Sequence, residues 1–470
     1  MTNSVSTQGK VSGWPDYRAV WRWHFYAGLL CIPFVIWLAC TGTVYIFKPQ
    51  LEAMLDRPYD RFVISGPAAT PSAQVRAALA AVPGSALSAY EIAPNPQAAA
   101  RVIVSKGGDK TRVYVHPTTA AVLKIVPEES RLMATVQRMH GELLIGERGS
   151  NIVELAACWA IVMIITGLFL WWPRQSSLAG MLYPRLGKGS RQTWRDLHAV
   201  TGFWVSLFAI FLLLTGLPWA KNWGAYLKDV RKVANATSVA QDWNTSRAQV
   251  KAQDRADDAG ARAAIAADGD EHAEHMGHKM TPGMNMAGMA DRYAPLNRIL
   301  PNVSALNLPS PVLIAPPKKP GAKWTAKSDT ANRPQRIDLT LDATTGEVRS
   351  AKTFAQKHVI DRIVGVGIAA HEGQLFGWIN PLVSLLTALG LLLMSVSAVV
   401  LWWKRRSDGV LGAPEPISRP KLSVALTLII LALGAYLPLF GISLVVVLVV
   451  ERLVLRQIPR AREWLGLQAA

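Results

Sequence analysis

The sequence predicts an all-α polytopic membrane protein with about six transmembrane helices, an internal two-fold repeat and small α+β domains outside the membrane. Half of the 470 residues are hydrophobic and the mean hydropathy is +0.20, which is too apolar for an ordinary soluble enzyme. The last apolar stretch is interrupted at Pro438 and Gly441, so it is predicted to form a hairpin of two short helices. The stretches long enough to cross about 30 Å of hydrocarbon lie near 24–47, 152–172, 197–219, 379–403 and 422–450.

The polar segments between these stretches define the predicted domains. Alternating apolar residues at 101–104, 112–123 and 336–348 predict strands in both long segments, and Ala73–Val82 is predicted to be helical. The order of strand module followed by helices occurs twice, which is the predicted repeat. The predicted parts are a cytoplasmic N-terminus 1–21, TM1 22–47, a periplasmic domain 48–135, an interfacial helix with TM2 136–172, a cytoplasmic loop 173–195, TM3 196–219, a second periplasmic domain 220–360, an interfacial segment with TM4 361–404, a cytoplasmic loop 405–421, the TM5–TM6 hairpin 422–454 and a cytoplasmic tail 455–470.

The net charge of +18 raises the question of nucleic-acid binding. The basic residues cluster just beyond helix ends, at 174–195, 404–421 and 452–462, which is the distribution that the positive-inside rule describes. No nucleic-acid partner is therefore predicted, and membrane lipid is the expected surrounding. The same rule places both termini in the cytoplasm and the segments 48–135 and 220–360 outside.

Two histidines, His24 and His198, begin apolar spans that have the same internal spacing. In both spans a glycine follows the histidine by 4 residues, and the glycine of a Thr-Gly step follows it by 18 residues. These distances are about one and five helical turns, so the histidine and both glycines share one face. A histidine within a membrane span is costly and usually functional. The glycines are Gly28, Gly42, Gly202 and Gly216.

His140 and His371 form a second matched pair. Each begins a His-x-x-x-Leu-x-Gly motif, and each precedes the first residue of a tryptophan pair, Trp171 or Trp402, by 31 residues. Both histidines lie in short amphipathic stretches ahead of an apolar span. They are therefore predicted to lie together at the outer membrane interface, away from His24.

Paired imidazoles at the two ends of a helix bundle are what bis-histidine haem ligation requires. The prediction is an inner haem held by His24 with His198 and an outer haem held by His140 with His371, with the four glycines making room for the macrocycles. No Cys-x-x-Cys-His motif occurs, so two non-covalent b-type haems are expected. The alternative is that the histidines only hydrogen-bond between helices while the glycines permit close packing.

Other polar residues are candidates for supporting roles. His116 and His358 are alternative haem ligands, although His116 follows a strand and both are interpreted as structural. Arg22, Arg195 and Arg138 are candidates for pairing with haem propionates, because a guanidinium group binds carboxylates bidentately. The positive-inside rule explains the first two arginines equally well.

A Met/His-rich insertion at 271–289 interrupts the second outside segment. Thioethers select Cu(I), and imidazole accepts copper in either oxidation state. The alternatives are a copper-binding loop or a low-complexity insertion without a task. The candidate copper ligands are His272, His275, His278, Met276, Met280, Met284, Met286 and Met289.

Several motifs are absent from the sequence. There is no dinucleotide-binding fingerprint and no Walker motif, so electrons are expected from a membrane quinol or a separate cytoplasmic reductase. The three cysteines, Cys31, Cys40 and Cys158, lie within apolar spans and are interpreted as small core residues.

The apolar spans and the stretches before them carry a set of recognisable motifs. These are Trp-His-x-x-x-Gly at 23–28 and its near match at 194–202, Met-His-Gly-Glu-Leu at 139–143, Ile-Thr-Gly-Leu-Phe-Leu-Trp-Trp at 165–172, Leu-Thr-Gly-Leu-Pro-Trp at 214–219 and Ala-His-Glu-Gly-Gln-Leu-Phe-Gly at 370–377. Taken together, they resemble the PepSY-associated transmembrane family, whose members include inner-membrane ferric-siderophore reductases of Gram-negative bacteria. The resemblance covers about residues 14–406. It implies a haem b protein of the bacterial inner membrane that carries electrons outward to reduce periplasmic metal, with His24, His140, His198 and His371 at the family's histidine positions.

The sequence therefore predicts a di-haem membrane oxidoreductase that reduces a ferric chelate, such as a ferric siderophore. The insertion 271–289 and the hairpin after 421 depart from the family pattern. The insertion favours a close alternative in which Cu(II) is the substrate. Alternatives from other classes are a copper-binding or transport-accessory protein without catalysis, and a regulatory module that binds a partner.

Overall fold

The structure is a computed structural model of the chain, and part of the chain is described. The described residues are 16–172, 178–187, 189–233, 249–261, 263, 292–319, 321–415 and 424–467.

The chain divides into two compact units. A helical unit comprises the residues up to 43, 140–230 and those from 383 onward, and a sheet unit comprises 44–139 and 231–382. Each unit is therefore built from both halves of the chain.

Most of the described residues outside the sheet are helical. The helices are α1 (Tyr17–Ile46), α2 (Lys48–Asp56), α3 (Pro71–Ala81), α4 (Leu132–Glu142), α5 (Glu147–Trp171), α6 (Ser190–Gly216), α7 (Lys221–Val233), α8 (249–261), α9 (Pro295–Ala305), α10 (Val359–His371), α11 (Ile379–Arg405), α12 (Val424–Tyr436), α13 (Pro438–Val450) and α14 (Pro459–Leu465).

Five helices of the described part are long and apolar enough to cross a membrane: α1, α5, α6, α11 and α13 with its continuation to Leu455. This number of spans is that of a multi-pass membrane protein. Helix α12 has 13 residues, about 20 Å of helix, which is shorter than the ~30 Å hydrocarbon layer. The sixth span therefore stays a prediction.

The C-terminal apolar stretch forms the hairpin that the sequence predicts. The chain leaves α12 and begins α13 at Pro438, whose missing N–H is tolerated in the first turn of a helix. The two helices approach closely at Gly434 and Gly441. A Cβ atom on Gly441 would lie 3.0 Å from the carbonyl oxygen of Gly434, so a side chain there would need the backbone of α12 to move by a few tenths of an ångström.

The sheet unit contains one eight-stranded antiparallel sheet with the strand order β4-β3-β2-β1-β5-β6-β7-β8. The strands predicted at 101–104 and 112–123 fall on β2 to β4, and the segment 336–348 contributes to β7, a turn and the start of β8. The central pairing joins β1 to β5, with Tyr90 opposite Ile314. The strands are β1 (Ala86–Glu91), β2 (Ala100–Lys106), β3 (Asp109–Val115), β4 (Val122–Pro127), β5 (Val312–Ala315), β6 (Trp324–Ser328), β7 (Ile337–Leu341) and β8 (Val348–Thr353).

A single hydrophobic core joins the two halves of this sheet. Val75 of α3 and Ile299 of α9 are fully buried in the same cluster as residues from six of the strands. The predicted helix at Ala73–Val82 is confirmed as α3. Ser72 at the start of α3 accepts a hydrogen bond from the Asn297 side chain of α9 at 3.1 Å. The two segments that were predicted to form two separate modules outside the membrane thus share one sheet and one core.

Candidate functional site

Within the helical unit, His24 of α1 and His198 of α6 face each other. Their ring centroids lie 6.5 Å apart and their planes are inclined at 79°. Two metal–nitrogen bonds of about 2 Å each, together with the distance from each nitrogen to its ring centre, place two axial imidazole centroids roughly 6 Å apart. The separation therefore fits one iron between the two rings.

Both rings are held through Nδ1. The Nδ1 atom of His24 lies 3.0 Å from Oγ1 of Thr166, whose own proton is donated to a carbonyl of the preceding turn. The Nδ1 atom of His198 lies 3.1 Å from the carbonyl oxygen of Met394 and 3.1 Å from Oγ of Ser397. A carbonyl or an already donating hydroxyl accepts the Nδ1 proton, which leaves Nε2 with a free lone pair. This is the tautomer that ligates metals through Nε2.

The two histidines line a cavity of about 1290 Å³ between α1, α5, α6 and α11. This volume exceeds the roughly 300–1,000 Å³ of ordinary ligand pockets, so the cavity is large enough in volume for a large ligand. The lining residues occur in matched pairs, because Met163 precedes Trp171 by 8 residues and Met394 precedes Trp402 by the same number. The matched lining pairs are His24 with His198, Gly28 with Gly202, Met163 with Met394 and Trp171 with Trp402.

Two of the predicted glycines line this cavity opposite methionine side chains. A Cβ atom on Gly28 would lie 4.0 Å from Sδ of Met163, and a Cβ atom on Gly202 would lie 3.3 Å from Cε of Met394. The space beside each glycine is thus bounded by a flexible thioether side chain. Methionine has three rotatable bonds and adapts to the shape of a neighbour, so it suits the wall of a site that takes a large ligand.

At each of two Thr-Gly steps, an imidazole ring packs against the glycine. A Cβ atom on Gly167 would lie 3.1 Å from Cε1 of His24. Likewise, a Cβ atom on Gly42 would lie 3.2 Å from Cε1 of His140, whose Nδ1 lies 3.0 Å from Oγ1 of Thr41. The sequence predicted that Gly42 makes room for a macrocycle, and the structure places the ring of His140 over it. Gly216, the matching position, is the last residue of α6.

His371 is the last residue of α10 in the sheet unit. The turn that follows it is fixed by Asn380, whose side chain donates to the carbonyl oxygen of Ala370 at 2.9 Å and accepts from the N–H of Leu375 at 3.1 Å. Helix α4, which carries His140, is the last helix before α5. The pairing of His140 with His371 stays a prediction.

The model of the PepSY-associated TM region matches residues 21–405 of the chain. The chain belongs to the PepSY-associated transmembrane family. No curated protein matches it significantly. The family region contains both histidine pairs and all eight strands, whereas the hairpin α12–α13 and α14 lie beyond it.

In this PepSY-associated protein, Arg22, which the sequence suggested as a propionate partner, bonds backbone carbonyl groups. Its guanidinium group donates to the carbonyl oxygens of Pro414 at 2.7 Å, Leu465 at 3.2 Å and Gly466 at 2.8 Å. Tyr26 donates to Leu465 as well, at 2.6 Å. A cation at the free carbonyls of a helix C-terminus is favourable. Arg22 thus binds the end of α14, outside the family region, to the start of α1.

The other two arginines suggested by the sequence also have partners. Arg195 pairs with the fully buried Asp196 at 3.0 Å, and Arg185 pairs with the same carboxylate at 2.7 Å. Arg138 of the sheet unit donates to the carbonyl oxygen of Glu129 at 3.1 Å. Arg185 and Arg195 line the cavity, whereas Arg138 does not.

His116 and His358 have local structural roles, which agrees with their interpretation from sequence. Nδ1 of His116 accepts the N–H groups of Thr118 and Thr119 in a turn, both at 3.3 Å. Nδ1 of His358 accepts the N–H of Ile360 at 3.3 Å and caps α10. An accepting Nδ1 sits on the Nε2-protonated tautomer, which does not offer Nε2 to a metal.

The Met/His-rich tract 271–289, with all eight candidate copper ligands, lies outside the described residues. Within the described part of the chain, no group of three or more His, Cys, Asp or Glu side chains is arranged to hold a metal ion. The copper interpretation therefore depends on the sequence alone.

Several residues of this site were missed by sequence reasoning. Met163, Thr166, Gly167, Met394 and Ser397 surround the two histidines. The signal was present, because Thr166 precedes Trp171 by 5 residues and Ser397 precedes Trp402 by 5. Aligning the two spans on their tryptophan pairs identifies both hydroxyl groups at once.

Proposed function

We propose that this protein is a membrane-embedded, haem-dependent oxidoreductase that passes electrons across the bilayer and reduces a metal complex on the outer side. The observation that supports this most is the pair His24 and His198. The two imidazoles are spaced for one iron, and both are hydrogen-bonded through Nδ1. Hydrogen bonds between helices alone would account for the Nδ1 contacts, so the 6.5 Å separation of the two rings and the cavity that they share are what favour a bound iron.

The chain's own residues have separable roles in this proposal. His24 and His198 offer Nε2 to the iron, while Thr166 and Ser397 fix the orientation of the rings and increase their basicity. Gly28 and Gly202 have no side chain, so the macrocycle can approach the backbone at these positions. A b-type haem, once bound, supplies a one-electron carrier. The two imidazoles would occupy the coordination positions that the porphyrin leaves free.

A second haem is proposed at His140 and His371, on the basis of the sequence repeat. The contact of His140 with Thr41 resembles that of His24 with Thr166, since both Nδ1–Oγ1 distances are 3.0 Å. The basic residues beyond the helix ends favour a cytoplasmic location for the inner haem and a periplasmic location for the sheet unit. The bacterial inner membrane is the proposed location, as the family resemblance implies.

The preferred substrate is a periplasmic ferric chelate, for example a ferric siderophore. One electron converts Fe(III) to Fe(II), which hard oxygen donors hold less tightly, so the metal is released. The electron comes from a quinol in the membrane or from a separate cytoplasmic reductase. The family membership supports the membrane-bound architecture, and the choice of iron is the proposal's own.

Cu(II) is the second candidate substrate, favoured by the Met/His tract 271–289. In this alternative one electron gives Cu(I), which the thioethers of the tract capture. A copper-binding or transport-accessory protein without catalysis would use the same tract and need no haem. The two classes therefore differ in whether the purified protein contains a b-type haem.

Reduced-minus-oxidised absorption spectra of the purified full-length chain test the proposal. The expected result is a b-type spectrum with about two haems per chain. Re-oxidation of the reduced protein by ferric chelates or by Cu(II), followed spectroscopically, separates the two substrates. A colourless protein from haem-replete cells would refute the oxidoreductase, and deletion of 271–289 is expected to slow only the reaction with copper.

A further inference from the structure

Arg405, the last residue of α11, is held against the start of α1. Its guanidinium carbon lies 5.1 Å from the ring centroid of Trp21 and 4.9 Å from that of Phe25. These two aromatic residues flank His24 at one helical turn before it and one residue after it. Stacking on two rings fixes a guanidinium group in one orientation, so Arg405 is a preorganised cation one turn from His24.

Arg405 lines the same cavity as the two histidines, and its charge is not neutralised there. Its buried Nε atom has no hydrogen-bond partner among the described residues. Arg191, an exposed residue, lines the same cavity and carries the same charge. A second guanidinium group beside the first raises the electrostatic cost of leaving both without an anion.

The charges around the cavity are unbalanced. Four arginines line it, and no Asp or Glu occurs among its described lining residues. Asp196, which follows Arg195 in the chain, pairs with Arg185 and Arg195. Arg191 and Arg405 are the two cavity arginines left without a carboxylate in the described part of the chain.

The positive-inside rule explains why basic residues occur at the end of α11, but it does not explain their direction. Arg406, the next residue, is exposed and lies over Trp402 and Trp403 at 5.5 and 5.1 Å, and it does not line the cavity. A topogenic charge needs only to lie on the correct side of the membrane. The placement of the Arg405 side chain against α1 therefore needs another cause.

We propose that Arg405 and Arg191 bind the two propionate carboxylates of the haem held by His24 and His198. This inference rests on the proposed function and adds an orientation to it. The carboxylate edge of the macrocycle faces the arginines, and the apolar edge lies between the methionines deeper in the cavity. Guanidinium groups match carboxylates in charge and geometry, so they would select a dianionic macrocycle over its neutral esters.

The test compares haem with its dimethyl ester, in which both propionates are uncharged. Full-length protein from haem-deficient cells is titrated with each compound in neutral detergent. The variants are Arg405→Gln, Arg191→Gln and the double change, with Arg406→Gln as the matched control. The wild type and the control are expected to bind the free acid at least about tenfold more tightly than the ester, and the double variant is expected to lose this preference.

Each outcome is informative. A preference that survives in the double variant, or one that Arg406→Gln abolishes equally, would overturn the assignment of the carboxylate site while leaving His24 and His198 as haem ligands. Binding of neither compound by the wild type would remove both this inference and the proposed function. A free-acid preference that disappears when anionic phospholipid is added would assign the arginines to a lipid headgroup instead.

Discussion

The hydroxyl group of Thr166 lies 3.0 Å from Nδ1 of His24, and the ring of His24 lies opposite the ring of His198. Ser397 makes the equivalent contact with His198 at 3.1 Å. Each hydroxyl residue precedes a tryptophan pair by 5 residues. The same support thus occurs twice around one cavity, which is what a cofactor site with two similar ligands requires.

Replacement of either facing histidine should remove the inner haem. We expect His24→Ala or His198→Ala to lower haem content by about half if the outer haem is retained, because one ligand is missing and the other is left alone. Haem is measured by pyridine haemochrome against protein. His116→Ala and His358→Ala are the matched controls, since those rings accept backbone N–H groups, and equal losses in the controls would contradict the assignment.

Removal of the two hydroxyl groups at Nδ1 should weaken the site without abolishing it. Thr166→Val takes this acceptor from His24, whereas Ser397→Ala leaves His198 the carbonyl oxygen of Met394. The imidazoles of the double variant lose basicity, so we expect about 10- to 100-fold weaker haem binding and a higher midpoint potential. A spectroelectrochemical titration measures the potential. Thr387→Val is the control, because its hydroxyl donates only to the carbonyl of Val383. A potential that moves equally in the control would show that the effect is not local.

A methyl group at Gly167 should disturb His24. The added Cβ would lie 3.1 Å from Cε1 of the ring, so the imidazole must tilt, and an off-rotamer side chain costs about 0.5–1.5 kcal/mol. We expect Gly167→Ala to reduce haem occupancy and to broaden its absorption bands. Gly141→Ala provides the control, because nothing lies within 4 Å of its Cβ position in helix α4. Full occupancy in Gly167→Ala would indicate that the ring has room to move.

Arg22 should anchor the C-terminal helix. Loss of its bonds to Pro414, Leu465 and Gly466 should release α14, since hydrogen bonds from charged groups contribute about 1.5–3 kcal/mol. Trypsin cleavage near Arg460 is expected to be at least about tenfold faster in Arg22→Ala. Arg18→Ala is the control, because its contact with Glu415 is long, at 3.9 Å, and exposed. Unchanged cleavage would mean that other contacts hold α14.

Asp342, in the turn between β7 and β8, should make the stability of the sheet unit depend on pH. The Arg349 side chain and the N–H groups of Thr345 and Thr344 lower its pKa from 3.8 to about 2. A folded-state pKa below the unfolded value stabilises the fold above the unfolded pKa, and the benefit is lost as the pH falls toward about 2.

The variant Asp342→Asn is therefore expected to lower the thermal midpoint near neutral pH and to converge with the wild type near pH 2, as measured by circular dichroism in detergent. Arg349→Gln should reproduce much of the change. A difference between variant and wild type that is the same at both pH values would mean that the charge of Asp342 does not matter.

The long helices and the two facing histidines were predictable from sequence, because apolar length and the His-to-Gly spacing are local patterns. The turn at Pro438 was predictable for the same reason. The supporting hydroxyl groups of Thr166 and Ser397 were not found, since threonine and serine in an apolar helix commonly bond their own backbone, as both of these also do.

The continuous sheet was less accessible to sequence reasoning. Strands β2 and β3 are joined by a tight Gly107-Gly108 turn, so their pairing is local. The contact of β1 with β5 is set by which strand edges remain open after each meander forms. Short strands such as Val312–Ala315 carry too little periodicity to reveal that choice.

The pairing of Tyr90 with Ile314, 224 positions apart, has a consequence for biosynthesis. At a translation rate of about 5–20 residues per second, roughly 10 to 45 s pass between the synthesis of Tyr90 and the synthesis of Ile314. Throughout that interval the N–H and C=O groups along the free edge of β1 have no partner strand. Such an edge can pair with a strand of another chain. Newly made chains should therefore need a holding chaperone on the side where the sheet forms, and a chain that stops before β5 should be a substrate for proteases there.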